Sequence, residues 1–284
     1  MIGFAKRNLL VFFKDKMAVF FSLLAVFIII GLYALFLGDV WVNSFTDMTG
    51  VRYLMNTWIL AGLLAVTSVT TTMGAFGTMV EDKTKKIIKD FTASPLKRRD
   101  ILGGYIISAF VIGVIMSLIT LVIVELYVVA QGGVWLGLVS LVKVLGLILL
   151  ATLANTALIL FIVSFFKSSN AFATASTIIG TMIGFLTGIY LPIGQLPDAV
   201  QMVVKVFPVS HAAVLLRQVM MADPMAKTFA GAPAETVNQF EQMMGVTFQF
   251  GGTTLAPIWS VVILIVTAVV FFALALLVLS RKKR

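Results

Sequence analysis

Residues 101–124 read ILGGYIISAFVIGVIMSLITLVIV, and between Asp100 and Glu125 there is no Asp, Glu, Lys, Arg or His. A helix rising about 1.5 Å per residue crosses a hydrocarbon core of about 30 Å in roughly 20 residues, so this run is long enough to span a bilayer. Five further runs share the property: between Lys16 and Asp39, Arg52 and Glu81, Lys143 and Lys167, Lys167 and Asp198, and from Gln242 to Ser280. Inside lipid a backbone must satisfy its own hydrogen bonds, which selects helices. The chain therefore reads as an all-α polytopic membrane protein. Its six transmembrane helices are expected near 17–38, 56–80, 101–130, 137–166, 171–191 and 257–280.

The composition agrees, with 60% of residues hydrophobic and 12% charged. Membrane helices consume nearly all of 1–284, so a single membrane domain is expected, with no room for a soluble catalytic domain. The net charge of +9 would suggest nucleic acid in a soluble protein, but here its placement explains it. An even number of spans puts both termini on one side. That side holds Lys6, Arg7, Lys14, Lys16, the segment Glu81–Asp100, Lys167 and Arg281-Lys282-Lys283-Arg284, together 16 of the 21 Lys and Arg. The positive-inside rule makes that face cytoplasmic. Cysteine is absent, which excludes disulfides, a thiol nucleophile and a Cys-based metal site. The first span follows a basic segment without an A-x-A-like cleavage site, so a retained helix is expected rather than a signal peptide.

Residues 2–16, IGFAKRNLLVFFKDK, interleave Phe4, Leu9, Val11, Phe12 and Phe13 with Lys6, Arg7, Lys14 and Lys16. That pattern suits an amphipathic helix lying in the membrane interface, or else a loosely ordered basic tail. No internal repeat is visible, which gives inverted-repeat carrier folds no support. All seven prolines lie outside the span interiors. Six of them punctuate the region after the fifth span and divide 192–256 into short pieces, of which LPDAVQMVVKVF and SHAAVLLRQVM are too short to span and suit re-entrant or interfacial helices. Ser210 is placed to cap the second of these. The remainder to about 256 is polar and reads as a mobile external loop.

The segment Glu81–Asp100, EDKTKKIIKDFTASPLKRRD, mixes both charges with Ile87, Ile88, Phe91 and Leu96. Ser94-Pro95 reads as a helix start, with Ser as cap and Pro at the first helical position. Two readings are open. One is an amphipathic element docking in a groove on a cytoplasmic partner; the other is a solvated basic loop.

These pieces together resemble a permease of the ATP-binding-cassette type-2 exporter family. The likeness rests on the basic amphipathic N-terminal segment and on the Glu-led loop with its Ser-Pro-Leu and basic cluster. It rests also on a fifth span leaving through GIYLPIGQLPDAVQMVVKVFPVSHAAVLLRQVM, and it covers essentially the whole chain. The resemblance implies that residues 1–16 form a connecting helix and that 81–100 hold a coupling helix docking on a separate ATPase subunit. Glu81, Lys85, Ile87, Ile88, Phe91, Ser94, Pro95, Leu96 and Arg98 are its contact candidates. It implies a second copy of the chain or a paralogous permease as partner, a bacterial inner membrane, and short re-entrant external helices between spans five and six. No G-x-x-x-x-G-K-[ST] occurs: Gly103-Gly104, Gly132-Gly133 and Gly251-Gly252 are not followed by Lys-Ser/Thr. No cofactor is therefore expected on this chain, and ATP and Mg belong to the partner subunit.

Within the spans, Gly180, Gly184 and Gly188 recur every four residues, the spacing that lets helices approach closely. Packing inside one subunit and a subunit contact both fit; the resemblance favours a dimer contact or pathway wall. Thr67, Thr71, Gly74 and Thr78 share one face of span two. Hydroxyls bonded to their own helix would explain them, and the resemblance favours a mildly polar pathway lining. Glu125 and Lys143 fall at one depth of an antiparallel hairpin, so an ion pair is expected, with a proton or pathway role or separate snorkelling as alternatives. His211, the lone histidine, is expected to be structural. The abundant Met and Phe read as packing. The function implied is export of a hydrophobic or amphiphilic substrate (drug, lipid, peptide or glycopolymer) by a non-enzymatic permease. An ion channel, a proton-coupled carrier and a membrane assembly factor are the rivals. No nucleic-acid partner is expected.

Overall fold

The computed structural model describes residues 1–37, 39–40 and 49–281. Lys282, Lys283 and Arg284, part of the basic tail, lie outside the described residues, as does Gly38. The order is α1 (Ile2–Lys14), α2 (Lys16–Leu32, continuing through a π turn at Tyr33–Leu37), α3 (Val51–Thr84), α4 (Ile88–Ala93), α5 (Arg98–Ala130), α6 (Leu138–Val163) and α7 (Ser169–Leu186). After a short 3-10 turn at Ile193–Gln195 come α8 (Asp198–Val206), α9 (Pro208–Met220), α10 (Ala222–Thr228) and α11 (Ala234–Met244). A two-strand ribbon pairing Gln249 with Thr254 and Phe250 with Thr253 precedes α12 (Pro257–Arg281). Among the described residues six helices are long and apolar enough to cross a membrane: α2, α3, α5, α6, α7 and α12. They are numbered here as spans one to six.

Span two is the axis of the bundle. In its most apolar window 89% of residues are buried, against 22% in spans one and six and 11% in span five. Spans two, three and four meet through small side chains. Ala109, Gly113 and Ser117 recur every four residues along α5, and a Cβ at Gly113 would lie 2.7 Å from Thr152 Cγ2 and 2.8 Å from Thr72 Oγ1. Apolar side chains gain little from leaving lipid for protein, so such close approach supplies the van der Waals contact that joins helices. One polar bond reinforces it. Asn155 Nδ2 on α6 donates to Ser68 Oγ at 2.7 Å, and Ser68 in turn donates to the Ala65 carbonyl at 2.7 Å.

At the end of the bundle away from α1 and α4, helices α8 and α9 meet at an 85° bend. Pro208 occupies the first turn of α9 and Phe207 is the cap residue. Ser210 is therefore not the cap that the sequence suggested. Its hydroxyl donates instead to the Leu186 carbonyl at 2.6 Å, one of the carbonyls that the end of α7 leaves without a helical partner. The stretch toward residue 256 also departs from the expected mobile loop. It folds into α10, α11 and the ribbon, and Met221, Phe240, Met244, Val246 and Phe248 are buried. Gly245 ends α11 in the left-handed conformation at φ +64, where glycine carries no Cβ penalty. Trp58 Nε1 of span two donates to the Met244 carbonyl at 2.7 Å, tying this cap to the bundle.

Candidate functional site

The basic end holds the densest polar contacts. Asp82, 2% exposed at the end of span two, receives Arg7 Nη1 at 2.6 Å and Nη2 at 3.1 Å. The Tyr105 hydroxyl of span three donates to the same carboxylate at 2.6 Å. Hydrogen bonding to Asp82 holds the Arg7 guanidinium above its ordinary pKa. The α1 helix thus lies across spans two and three, and Gly104 makes room for it: a Cβ there would meet Phe4 Cδ1 at 2.6 Å and the Ala5 backbone nitrogen at 3.2 Å. The Met1 amine stands 4.0 Å from Asp100.

This node also captures α4. The Phe91 ring packs edge-on to Phe4 with centroids 4.9 Å apart, and the Arg7 guanidinium sits 5.2 Å from the Phe91 centroid. Phe91, read from sequence as an anchor for a partner's groove, is half-buried and packs on its own subunit, against Phe4 and the Arg7 that pairs with Asp82. Ile87 and Ile88 are half-buried beside it. Lys89, Asp90, Thr92 and Ala93 are exposed, as are Pro95, Leu96 and Arg98. Exposed Glu81 and Lys85 pair one helical turn apart, a contact of little energetic weight in solvent.

Ser94-Pro95 does not start a helix. Ser94 closes α4 with ψ 166, and its hydroxyl donates to the Phe91 carbonyl at 2.6 Å. Proline pushes its predecessor into extended backbone, so α5 begins only at Arg98, with Lys97 as cap residue. Lys86 makes the turn from α3 into α4 at φ +63.

The expected threonine face of span two divides. Thr67 and Thr71 are buried and donate to their own helix, to the Leu63 carbonyl at 2.9 Å and the Thr67 carbonyl at 2.7 Å. Gly74 and Thr78 instead line an open cleft of about 410 Å³ shared with Phe12, Asp15, Ser169 and Phe172.

Span five shows an exposed face that the glycine spacing did not identify. Thr174, Thr177 and Thr181 lie on it with Ile178, Met182 and Phe185. Their hydroxyls donate to the Asn170, Ala173 and Thr177 carbonyls at 3.1, 3.1 and 2.9 Å. The signal was a Thr series at helical spacing in the least buried span. The three glycines do not form one open stripe. Gly180 has open space before it, Gly184 is covered by the chain's own Tyr190 ring, and Gly188 ends the span at φ +69 against Ile193.

Glu125 and Lys143 do not meet. Glu125 is 6% exposed and accepts the Leu136 backbone N–H at 3.0 Å. Lys143 is exposed on the outer face of α6 and is in no ion pair among the described residues. Equal depth did not decide the outcome, because a backbone donor in the intervening turn reaches the carboxylate. His211 is buried between Ser260 Oγ at 3.0 Å and the Lys205 carbonyl at 2.9 Å.

Sequence reasoning missed Arg217, which is 0% exposed. Its guanidinium lies 4.7 Å from the Trp58 ring centroid, and it donates to the Trp58 carbonyl at 3.4 Å and the Gly245 carbonyl at 3.3 Å. Gly62 leaves the space: a Cβ there would come within 2.9 Å of Nη2. The available signal was a lone cation inside the apolar run SHAAVLLRQVM. Among the described residues no cluster of His, Cys, Asp and Glu could hold a metal ion.

Comparison with known proteins bears on this arrangement. Nodulation protein J of Rhizobium meliloti (strain 1021) is 32% identical over 87 residues, which make up 31% of this chain and 33% of that protein. The match therefore spans about a third of the relative's length. The profile of the family described as ABC-2 family transporter protein matches residues 40–277. That stretch takes in spans two to five whole and most of span six, the Asp82 carboxylate, α4 and the Arg217 cap, and on it the chain belongs to the ABC-2 family of transporter membrane proteins.

Proposed function

We propose that this permease exports an amphiphilic molecule, driven by ATP hydrolysed on a separate subunit that binds the exposed face of α4. The carrying observation is the Asp82 node. It clamps α1, α4 and spans two and three into one unit, so a push on α4 moves two spans rather than a loop. Interfaces of this kind switch between discrete packings. The basic end faces the cytoplasm of a bacterial cell in this reading, with both termini inside and the α8–α12 cap outside. The exposed threonine face of span five meets a second permease. The cleft at Gly74 and Thr78 belongs to the pathway, and its mix of aromatic rings, hydroxyls and the charged Asp15, Glu81 and Lys85 suits a molecule with an apolar body and a polar head.

Two measurements test this. In cells co-expressing the partner ATPase, Lys89→Glu with Thr92→Arg should cut ATPase co-purification at least tenfold, since charged groups at an interface govern encounter and fit. Unchanged co-purification would remove α4 as the docking element. For orientation, Lys89→Cys should react with an impermeant thiol reagent only in inverted vesicles and Asn238→Cys only in intact cells; the reverse pattern would overturn the topology.

A further inference from the structure

A second hollow at the basic end adjoins the clamp just described, sharing Tyr105 with it. It lies between α4, the start of α5 and the end of α12, with a volume of about 600 Å³. Leu102, Leu276 and Leu279 form much of its floor, and Lys83, Arg98 and Arg99 stand among its lining residues. Among the described residues no carboxylate lines it. Neither arginine is in an ion pair among the described residues, and Asp100, the nearest acid in sequence, stands instead beside the Met1 amine.

Depth gives the hollow its meaning. Arg98 opens span three and Ser280 closes span six, so the floor lies at the edge of the hydrocarbon and the cations lie at headgroup level. The amino end of α5 adds its partial positive charge beside them. An apolar seam topped by three cations is complementary to one kind of neighbour already in the bilayer: an acyl chain below, a phosphate diester above. Basic pockets between membrane helices on the cytoplasmic side recognise anionic headgroups by this combination.

We propose that this hollow seats one anionic phospholipid, of the phosphatidylglycerol type, from the leaflet at the basic end. Its phosphate lies between Arg98 and Arg99, and an acyl chain follows the seam between α5 and α12. Ile88 and Thr92 of α4 also line the hollow, so the lipid braces the short helix on a face next to the one that Phe91 turns to the Phe4 and Arg7 seat. The composition of the bilayer then bears directly on α4. This inference is independent of the substrate and of export.

The test is native mass spectrometry of the full chain, delipidated in detergent and titrated with phosphatidylglycerol or phosphatidylcholine. One phosphatidylglycerol should bind in preference to phosphatidylcholine. Arg98→Gln with Arg99→Gln should weaken phosphatidylglycerol about 25-fold, roughly fivefold per cation near an anionic lipid, and leave phosphatidylcholine unchanged. Leu276→Trp fills the floor without altering charge, and it should lose the same lipid while retaining wild-type thermal unfolding in lipid-free detergent. Equal affinity for the two lipids in the wild type, or wild-type phosphatidylglycerol affinity in either variant, would overturn the proposal. So would a double variant that loses ATPase co-purification yet keeps its lipid, since the hollow would then be part of the protein interface.

Discussion

Asp82→Ala is expected to destabilise the permease by about 3 kcal/mol, the lower end of the range for removing one partner of a buried ion pair. Three donors converge on this carboxylate from α1 and span three. Its removal leaves the Tyr105 hydroxyl buried without an acceptor, which alone costs about 1–3 kcal/mol. Arg7 is 33% exposed, so water resolvates part of its charge and keeps the loss below the upper bound. Asp82→Asn retains an acceptor and the shape, and should lose about half as much. Unfolding in mixed detergent micelles measures both, and protease sensitivity after Lys14 reports release of α1. In a double-mutant cycle, Arg7→Ala should add little to Asp82→Ala, because the pair is already broken. Full additivity would show that the two residues are not coupled. Transport should fall in Asp82→Ala even where protein remains folded, since α4 then moves without its spans.

Arg217→Ala should destabilise the far end by about 2–4 kcal/mol. The side chain stacks on Trp58 in a desolvated site, an interaction of about 2 kcal/mol, and it satisfies the Gly245 and Trp58 carbonyls. Arg217→Lys should not rescue it, because an ammonium lacks the planar stack and the fork that reaches two carbonyls. Arg217→Met keeps the volume and removes the buried charge, so it should recover much of the alanine loss. Thermal unfolding orders the three variants, and emission from a variant retaining Trp58 as the sole tryptophan reports the ring's surroundings. A lysine variant as stable as the wild type would show that only charge matters there.

Six spans and their approximate ends were legible because a bilayer penalises charge with a length scale of its own. Which span sits at the centre was not. Lipid tails and protein interiors are equally apolar, so hydropathy cannot separate the enclosed span two from the peripheral span six. The small-residue series Ala109, Gly113 and Ser117 was as visible as Gly180, Gly184 and Gly188; only the three-dimensional crossing at Thr72 and Thr152 chooses between them. Glu125 illustrates a different gap, since a backbone N–H from Leu136 competes for the carboxylate and leaves no trace in residue identities. For Phe91, an aromatic in an amphipathic segment announces that it will be buried but not against what. The folded piece at 234–250 was obscured by its polar surface residues, which outnumber the buried Phe240, Met244 and Phe248.

The bond from Asn155 to Ser68 joins residues 87 positions apart, and this has a consequence for biosynthesis. At about 5–20 residues per second, the ribosome delivers span four roughly 4–17 seconds after span two. In that interval the span destined for the centre of the bundle has no permanent neighbours on two of its sides, and Ser68 lacks the amide that will bond to it. The insertion machinery or an attendant insertase must shelter it meanwhile. Nascent chains arrested before residue 155 are expected to crosslink from position 68 to such a helper, and chains arrested after span four has emerged to lose that crosslink in favour of their own fourth helix.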